Sequence, residues 1–202
     1  LELQVDGDCR ELAGRVRRVR DAATTVVGVN VVVGFGHRVW STMAPAHVPG
    51  ELAAFEPVVG IDGFVIPAAQ RDLWFWLHGA GPDALFDVAR LAVATLDGCE
   101  RLVAEQPAFT YGASRDLTGF EDGTENPPLD EALGLATIPV GPGAGGSIAL
   151  LQRWVHDLDA FGALDAAAKD LVIGRTLSGS VELDPSVQSP RAHIERVVIE
   201  DD

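Results

Sequence analysis

The sequence predicts an α+β fold: two ferredoxin-like (βαββαβ) units with antiparallel sheets, both incomplete, over residues 1–111 and 112–202. Three observations carry this reading. Hydrophobic periodicity in the first half runs helix, strand, strand, helix, strand. In the second half it runs strand, helix, strand. A chain of 202 residues that is 47% hydrophobic and 22% charged suits a globular protein with its own core. A βαββαβ unit holds six elements. The first half therefore lacks its opening strand, and the second half lacks its closing βαβ.

Residues 8–23 read as a helix, because Leu12, Val16 and Val19 recur at helical spacing with arginines between them. Residues 26–35 are β-branched and apolar, the pattern of a buried strand. A long connection follows, punctuated by Pro45, Pro49, Gly50, Pro57, Gly60 and Gly63. Leu73-Trp74-Phe75-Trp76-Leu77 reads as the second strand, with the tryptophans in core and sheet packing. Gly81-Pro82-Asp83 then opens a helix that runs through Leu96, with Leu85, Val88, Ala89, Ala92 and Leu96 on one face. Residues 101–109 supply a further strand. Residues 112–146 are rich in Gly, Pro, Asp and Thr and read as a long loop, a feature that is usually functional or disordered. Residues 147–155 read as a strand, 157–174 as a helix broken near Gly162, 177–190 as loop and 194–199 as a strand.

The formal net charge is −15, which argues against nucleic acid and anionic lipid as partners. Arg15, Arg17, Arg18 and Arg20 form a short basic cluster, read as a solvated helix face. No apolar run is long enough for a membrane-spanning helix. Leu1-Glu2-Leu3-Gln4-Val5-Asp6 lacks the basic start and apolar run of a signal peptide. Cys9 and Cys99, outside any metal-binding spacing, fit free thiols in a reducing compartment. Together these point to a cytoplasmic location.

The most informative segment is Gly119-Phe120-Glu121-Asp122-Gly123-Thr124-Glu125-Asn126-Pro127. It is a polar turn in which Asp122 lies between Glu121 and a glycine, and Asn126-Pro127 ends whatever precedes it. Glycine beside a carboxylate lets the backbone approach a bulky ligand, because no Cβ stands in the way. Further along come Gln152-Arg153-Trp154-Val155-His156-Asp157-Leu158, Val172-Ile173-Gly174-Arg175-Thr176, Glu182-Leu183-Asp184 and Ala192-His193-Ile194-Glu195-Arg196-Val197. In order and spacing these segments resemble the dye-decolorizing (DyP-type) haem peroxidases, with the bacterial B-type forms nearest. Residues 116–202 carry nearly all of this signal.

The resemblance implies haem b (iron protoporphyrin IX) as cofactor. Hydrogen peroxide and a small aromatic reductant are the implied substrates. A homo-oligomer is implied as well, and an encapsulating shell protein where a C-terminal tail exists. By position, Asp122 matches the distal acid–base residue and His193 the proximal iron ligand. Gly123, Thr124 and Glu125 match the backbone lying along the porphyrin, and Arg175 a contact to a propionate. Trp154 or Tyr111 would relay an electron from a bulky dye. The family's distal arginine follows the proximal histidine by a strand and a turn, beyond Asp202, so the expectation is a chain that is part of a longer one.

These residue types suit the chemistry. An imidazole nitrogen is a good axial donor to ferric iron. Peroxide must lose a proton from the oxygen that binds and gain one on the oxygen that leaves, and a single ionised group can do both. Aspartates titrate near pH 4 in water, which keeps such a base ready even at mildly acidic pH. His156 reads instead as a capping or core histidine, and His37, His47 and His78 as structural or exposed. Trp154 reads as core. Three alternatives stand beside the peroxidase: a haem-binding protein without turnover, a calcium loop built from Glu121, Asp122, Glu125, Asn126, Asp130 and Glu131, and a ferredoxin-like module without cofactor.

Overall fold

A computed structural model describes residues 1–6, 11–124 and 126–197. In chain order the elements are β1 (Glu2–Val5), α1 (Leu12–Ala23), β2 (Asn30–Phe35), α2 (His37–Met43), β3 (Val58–Val59), β4 (Val65–Ile66), β5 (Leu73–His78), α3 (Pro82–Leu96), β6 (Glu100–Ala104), α4 (Leu129–Ala136), α5 (Leu158–Gly162), α6 (Ala166–Ile173) and α7 (Ile194–Val197). The chain forms two compact units, one of residues 1–107 and 133–150, the other of residues 108–132 and 151–202.

The first unit is a complete βαββαβ fold. Its four strands lie antiparallel in the order β2-β5-β1-β6. Leu3, Val5, Leu73 and Phe75 point to one face, where Leu12, Val16 and Val19 of α1 and Ala92 and Leu96 of α3 cover them. The periods of the two element types meet there: 3.6 along the helices and 2 along the strands. The expected missing first strand is therefore corrected: β1 is present and central, between β5 and β6. It is four residues long, too short to declare itself by alternation. A buried carboxylate fixes it instead. Asp72 accepts the Val5 N–H at 2.8 Å, the Arg38 Nε–H at 3.0 Å and a bond from Gln4, while Arg38 Nη2 donates to the Val5 carbonyl at 2.7 Å.

The connection from β2 to β5 holds α2 and the small β3–β4 hairpin. Trp74 and Trp76 stack at 6.1 Å on the sheet face away from this core, and Trp76 is exposed. They contribute sheet packing and not core. Residues 133–150 join the first unit, where Gly143 packs so closely on Pro49 that a Cβ would lie 2.4 Å from its ring.

In the second unit the helix broken near Gly162 is present as α5 and α6. The long 112–146 segment carries α4. Two expected strands are corrected. Residues 147–155 pair with no backbone among the described residues, and their apolar side chains, Trp154 included, stay exposed. A strand needs a ladder partner to satisfy its N–H and C=O groups. Of the strand expected at 194–199, residues 194–197 form helix α7, with Ile194 buried, and 198–199 lie outside the described residues. The predicted β-α-β pattern is thus replaced, among the described residues, by helices and isolated bridges. No helix of the described residues is long and apolar enough to cross a membrane.

Candidate active site

The site lies in the second unit and begins with an unusual turn. Gly112, Ala113 and Ser114 follow one another at φ 50°, 58° and 70°. Left-handed backbone is costly for residues with a Cβ and is normally visited singly. The turn brings the Arg115 N–H to the Tyr111 carbonyl at 2.9 Å and presents the Ser114 carbonyl to the Asp122 N–H, also at 2.9 Å. Between them Asp116 builds a tight reversal: its side chain accepts from the Thr118 N–H at 2.8 Å, and its carbonyl from the Gly119 N–H at 3.0 Å. Phe120 is buried and meets Phe161 edge-on at 6.4 Å. This aromatic pin fixes the loop that ends in Asp122.

Asp122 and Gly123 line a cavity of about 550 Å³ together with Phe109, Thr110, Tyr111, Ser114, Arg115 and Asn126. The Asp122 carboxylate is exposed and makes no hydrogen bond or ion pair among the described residues. Gly123 has φ 70°, a conformation glycine adopts without strain, and a Cβ there would lie 2.4 Å from Asn126 Nδ2 and displace that side chain. Thr124 is exposed beside it. Glu125 lies outside the described residues.

The second half of the site is organised by α6. Asp165 caps its start, accepting the Ala168 N–H at 2.8 Å, and Gly174 ends it at φ 93°. Past this end, the His193 N–H donates to the Val172 carbonyl at 2.9 Å, and Ile194 fills the space that a Cβ on Gly174 would need. The His193 imidazole is exposed and has no hydrogen-bond or ion-pair partner among the described residues. Arg175 donates to the Ser180 carbonyl at 3.1 Å and to Glu182 Oε1 at 2.6 Å. The two halves are tied together: Leu177 donates to Asp170 Oδ1 at 2.9 Å, and its carbonyl accepts from Arg115 at 3.4 Å.

The structure thus brings Asp122 and Gly123 to one cavity, and His193 to the end of α6 beside Gly174-Arg175. Arg175 and His193 are not among the residues lining the cavity. His156 does not cap α5; Asp157 does, accepting the Ala160 N–H at 2.9 Å, and His156 is exposed. Ser114 and Arg115 escaped the sequence reading, because nothing in Ala113-Ser114 signals left-handed backbone. Among the described residues no cluster of three or more His, Cys, Asp or Glu could hold a metal ion.

The donor set fits a haem. A free imidazole offers an axial nitrogen. Leu171 and Val172, both exposed on the helix that tethers it, offer apolar surface, and Arg175 offers a cation.

A βαββαβ unit followed by a glycine-rich aspartate loop and a free histidine defines a class, and comparison with known proteins agrees. The model of the Dyp-type peroxidase N-terminal domain matches residues 9–110, and that of the C-terminal domain residues 113–202. This chain belongs to the Dyp-type peroxidase family. A dye-decolorizing peroxidase of Mycolicibacterium paratuberculosis is 34% identical over 178 residues, covering 86% of this chain and 49% of the relative. One from Mycobacterium tuberculosis is 30% identical, covering 100% of this chain and 60% of the relative. The chain spans about half the length of the first curated relatives it matches. Among solved structures, a DypB variant of Rhodococcus jostii RHA1 in complex with heme has a TM-score of 0.85 at 31% identity, covering 100% of this chain and 69% of that one. A dye-decolorizing protein from V. cholerae has a TM-score of 0.85 at 29% identity, covering 99% and 68%.

Proposed function

We propose that the protein is a haem-dependent peroxidase that uses hydrogen peroxide to oxidise dyes or other small aromatic reductants by one-electron steps, in the cytoplasm. The observation that carries this reading is the free Asp122 carboxylate at a cavity, braced through Arg115 and Leu177 to the helix that tethers the free His193 imidazole. His193 would ligate the iron, and Gly123, Thr124 and Glu125 would lie along the porphyrin. Arg175 would meet a propionate in place of, or beside, Glu182. Bound haem would supply the redox iron at which the peroxide O–O bond is cleaved.

Asp122 takes a proton from the incoming peroxide and returns it to the oxygen that leaves. One peroxide accepts two electrons and two protons and departs as two waters, while two reductant molecules give up one electron each. Tyr111, at the cavity and edge-on to Phe109 at 6.5 Å, is the better placed of the two candidate relays, since Trp154 is not among the residues lining that cavity. Homo-oligomer formation and capture by an encapsulating shell protein through a C-terminal tail belong to the same reading.

The test is a set of three variants. His193→Ala should lose most haem or its high-spin ferric spectrum, while His156→Ala keeps both. Asp122→Asn keeps shape and removes the base, so the peroxide step should slow by about 10²-fold, followed by stopped-flow absorbance at several pH values. A parental rate and pH profile in Asp122→Asn would end the assignment. Haem bound without any peroxide-dependent dye oxidation would select a haem-binding protein instead.

A further inference from the structure

We propose that Arg115 is the positioning residue of the Asp122 loop. The inference rests on the reading of Asp122 as the proton-transferring base.

Among the described residues the guanidinium pairs with no acid. Its Nη1 donates to two carbonyls, Gly119 at 2.7 Å and Leu177 at 3.4 Å, which lie 58 residues apart in the chain. One partner opens the signature loop. The other follows Arg175 and is itself held by Asp170 of α6. Arg115 is the side chain that bonds both segments.

The backbone around it serves the same end. Arg115 bridges to Tyr111 on one side and to Glu121 on the other, so it sits directly beside the chain that carries Asp122. The left-handed run at residues 112–114 wraps it: a Cβ on Gly112 would touch the Arg115 stem at 3.5 Å. That run aims the Ser114 carbonyl at the Asp122 N–H. Strained backbone of this kind persists only where its surroundings over-determine it. Here the surroundings are the guanidinium bonds to Gly119 and Leu177, and the Phe120–Phe161 contact.

Removing Arg115 should let the loop relax, and a displacement of about 1 Å at a reacting group can cost about 10²-fold in rate. Arg115→Met keeps the stem and loses the donors; Arg115→Lys keeps the charge and a donor. Both would be measured in the haem-loaded protein, with Asp122→Asn and the Arg115→Met/Asp122→Asn double variant alongside. We expect Arg115→Met to lower kcat/KM for peroxide by about 10-fold or more, with KM for the reductant unchanged. Arg115→Lys should recover part of that loss. The double variant should be no slower than Asp122→Asn, because Arg115 acts through Asp122. Independently of turnover, hydrogen exchange at the Asp122 amide should speed up in Arg115→Met. A parental peroxide rate and parental amide exchange in Arg115→Met, with Asp122→Asn slow, would overturn the inference and leave the base in place. Losses that multiply in the double variant would overturn it too. A parental rate in Asp122→Asn itself would overturn the reading of the base, and the inference with it.

Discussion

Gly174 and Gly119 make a matched pair. Their φ angles are 93° and 91°, so an alanine at either position meets a similar backbone penalty, roughly 1–2 kcal/mol. Their surroundings differ. A Cβ on Gly119 would meet Leu177 Cδ1 at 3.6 Å, an ordinary contact. A Cβ on Gly174 would lie 2.6 Å from Ile194 Cγ1, 2.8 Å from its Cδ1 and 3.2 Å from the Ala192 Cβ. Ile194 is buried and Ala192 fully so, which leaves them little room to yield. Overpacking of this kind adds about 1–3 kcal/mol. Gly174→Ala should therefore cost about 2–5 kcal/mol against about 1–2 for Gly119→Ala. At this chain length each kcal/mol lowers Tm by about 2–4 °C. Because His193 stands between Ala192 and Ile194, Gly174→Ala should also weaken haem retention. Calorimetry and a haem titration read the two effects. Equal losses of Tm in the two variants would refute the clash, and unchanged haem affinity in a clearly destabilised Gly174→Ala would refute its link to His193.

Two further outcomes are expected in the first unit. Asp72→Ala removes the acceptor of the Val5 N–H and of Arg38, at a site 3% exposed. The cost should be about 2–4 kcal/mol, held below a fully buried pair by the exposure of Arg38, and a urea midpoint unchanged from the parent would count against the carboxylate as the anchor of β1. Glu100 is held above its ordinary value of 4.5, first by burial and then by Asp97 and Asp6. Its ionised form is the disfavoured one when folded, so the contribution of Glu100 to stability is fully present below about pH 4.5 and is lost as pH rises through the raised value. Glu100→Gln should raise Tm at neutral pH and leave it unchanged in acid; a gain of equal size at both would show that charge is not the cause.

The helices of the first unit were legible because each carries a long one-sided stripe: Leu12, Val16, Val19 and Ala23 in α1, and Val88, Ala89, Ala92 and Leu96 in α3. β5 was legible from its aromatic run. β1 was not, since four residues with two polar side chains look like any terminus. Its anchor, Asp72, lies 67 residues from Val5, a separation that local periodicity does not sense. The apolar pattern of 147–155 was real but is not paired among the described residues. Sequence reports which residues favour a ladder, and pairing depends on where a partner backbone lies.

The site follows the same division. Asp122, Gly123 and His193 could be named through the resemblance of their segments to the Dyp-type family, a likeness of side-chain identity, order and spacing. What holds them could not. Ser114 contributes a carbonyl, Leu177 a carbonyl and an N–H, and Val172 a carbonyl. Every residue except proline owns those groups, so side-chain identity carries no signal for them. Arg115 is the exception, a distinctive side chain whose partners are backbone atoms. An arginine in a loop reads by default as solvated charge, and only its two carbonyl partners reveal a brace. Residues that do chemistry are thus legible through side-chain identity and spacing, while residues that position them become legible only when the backbone they grip is known.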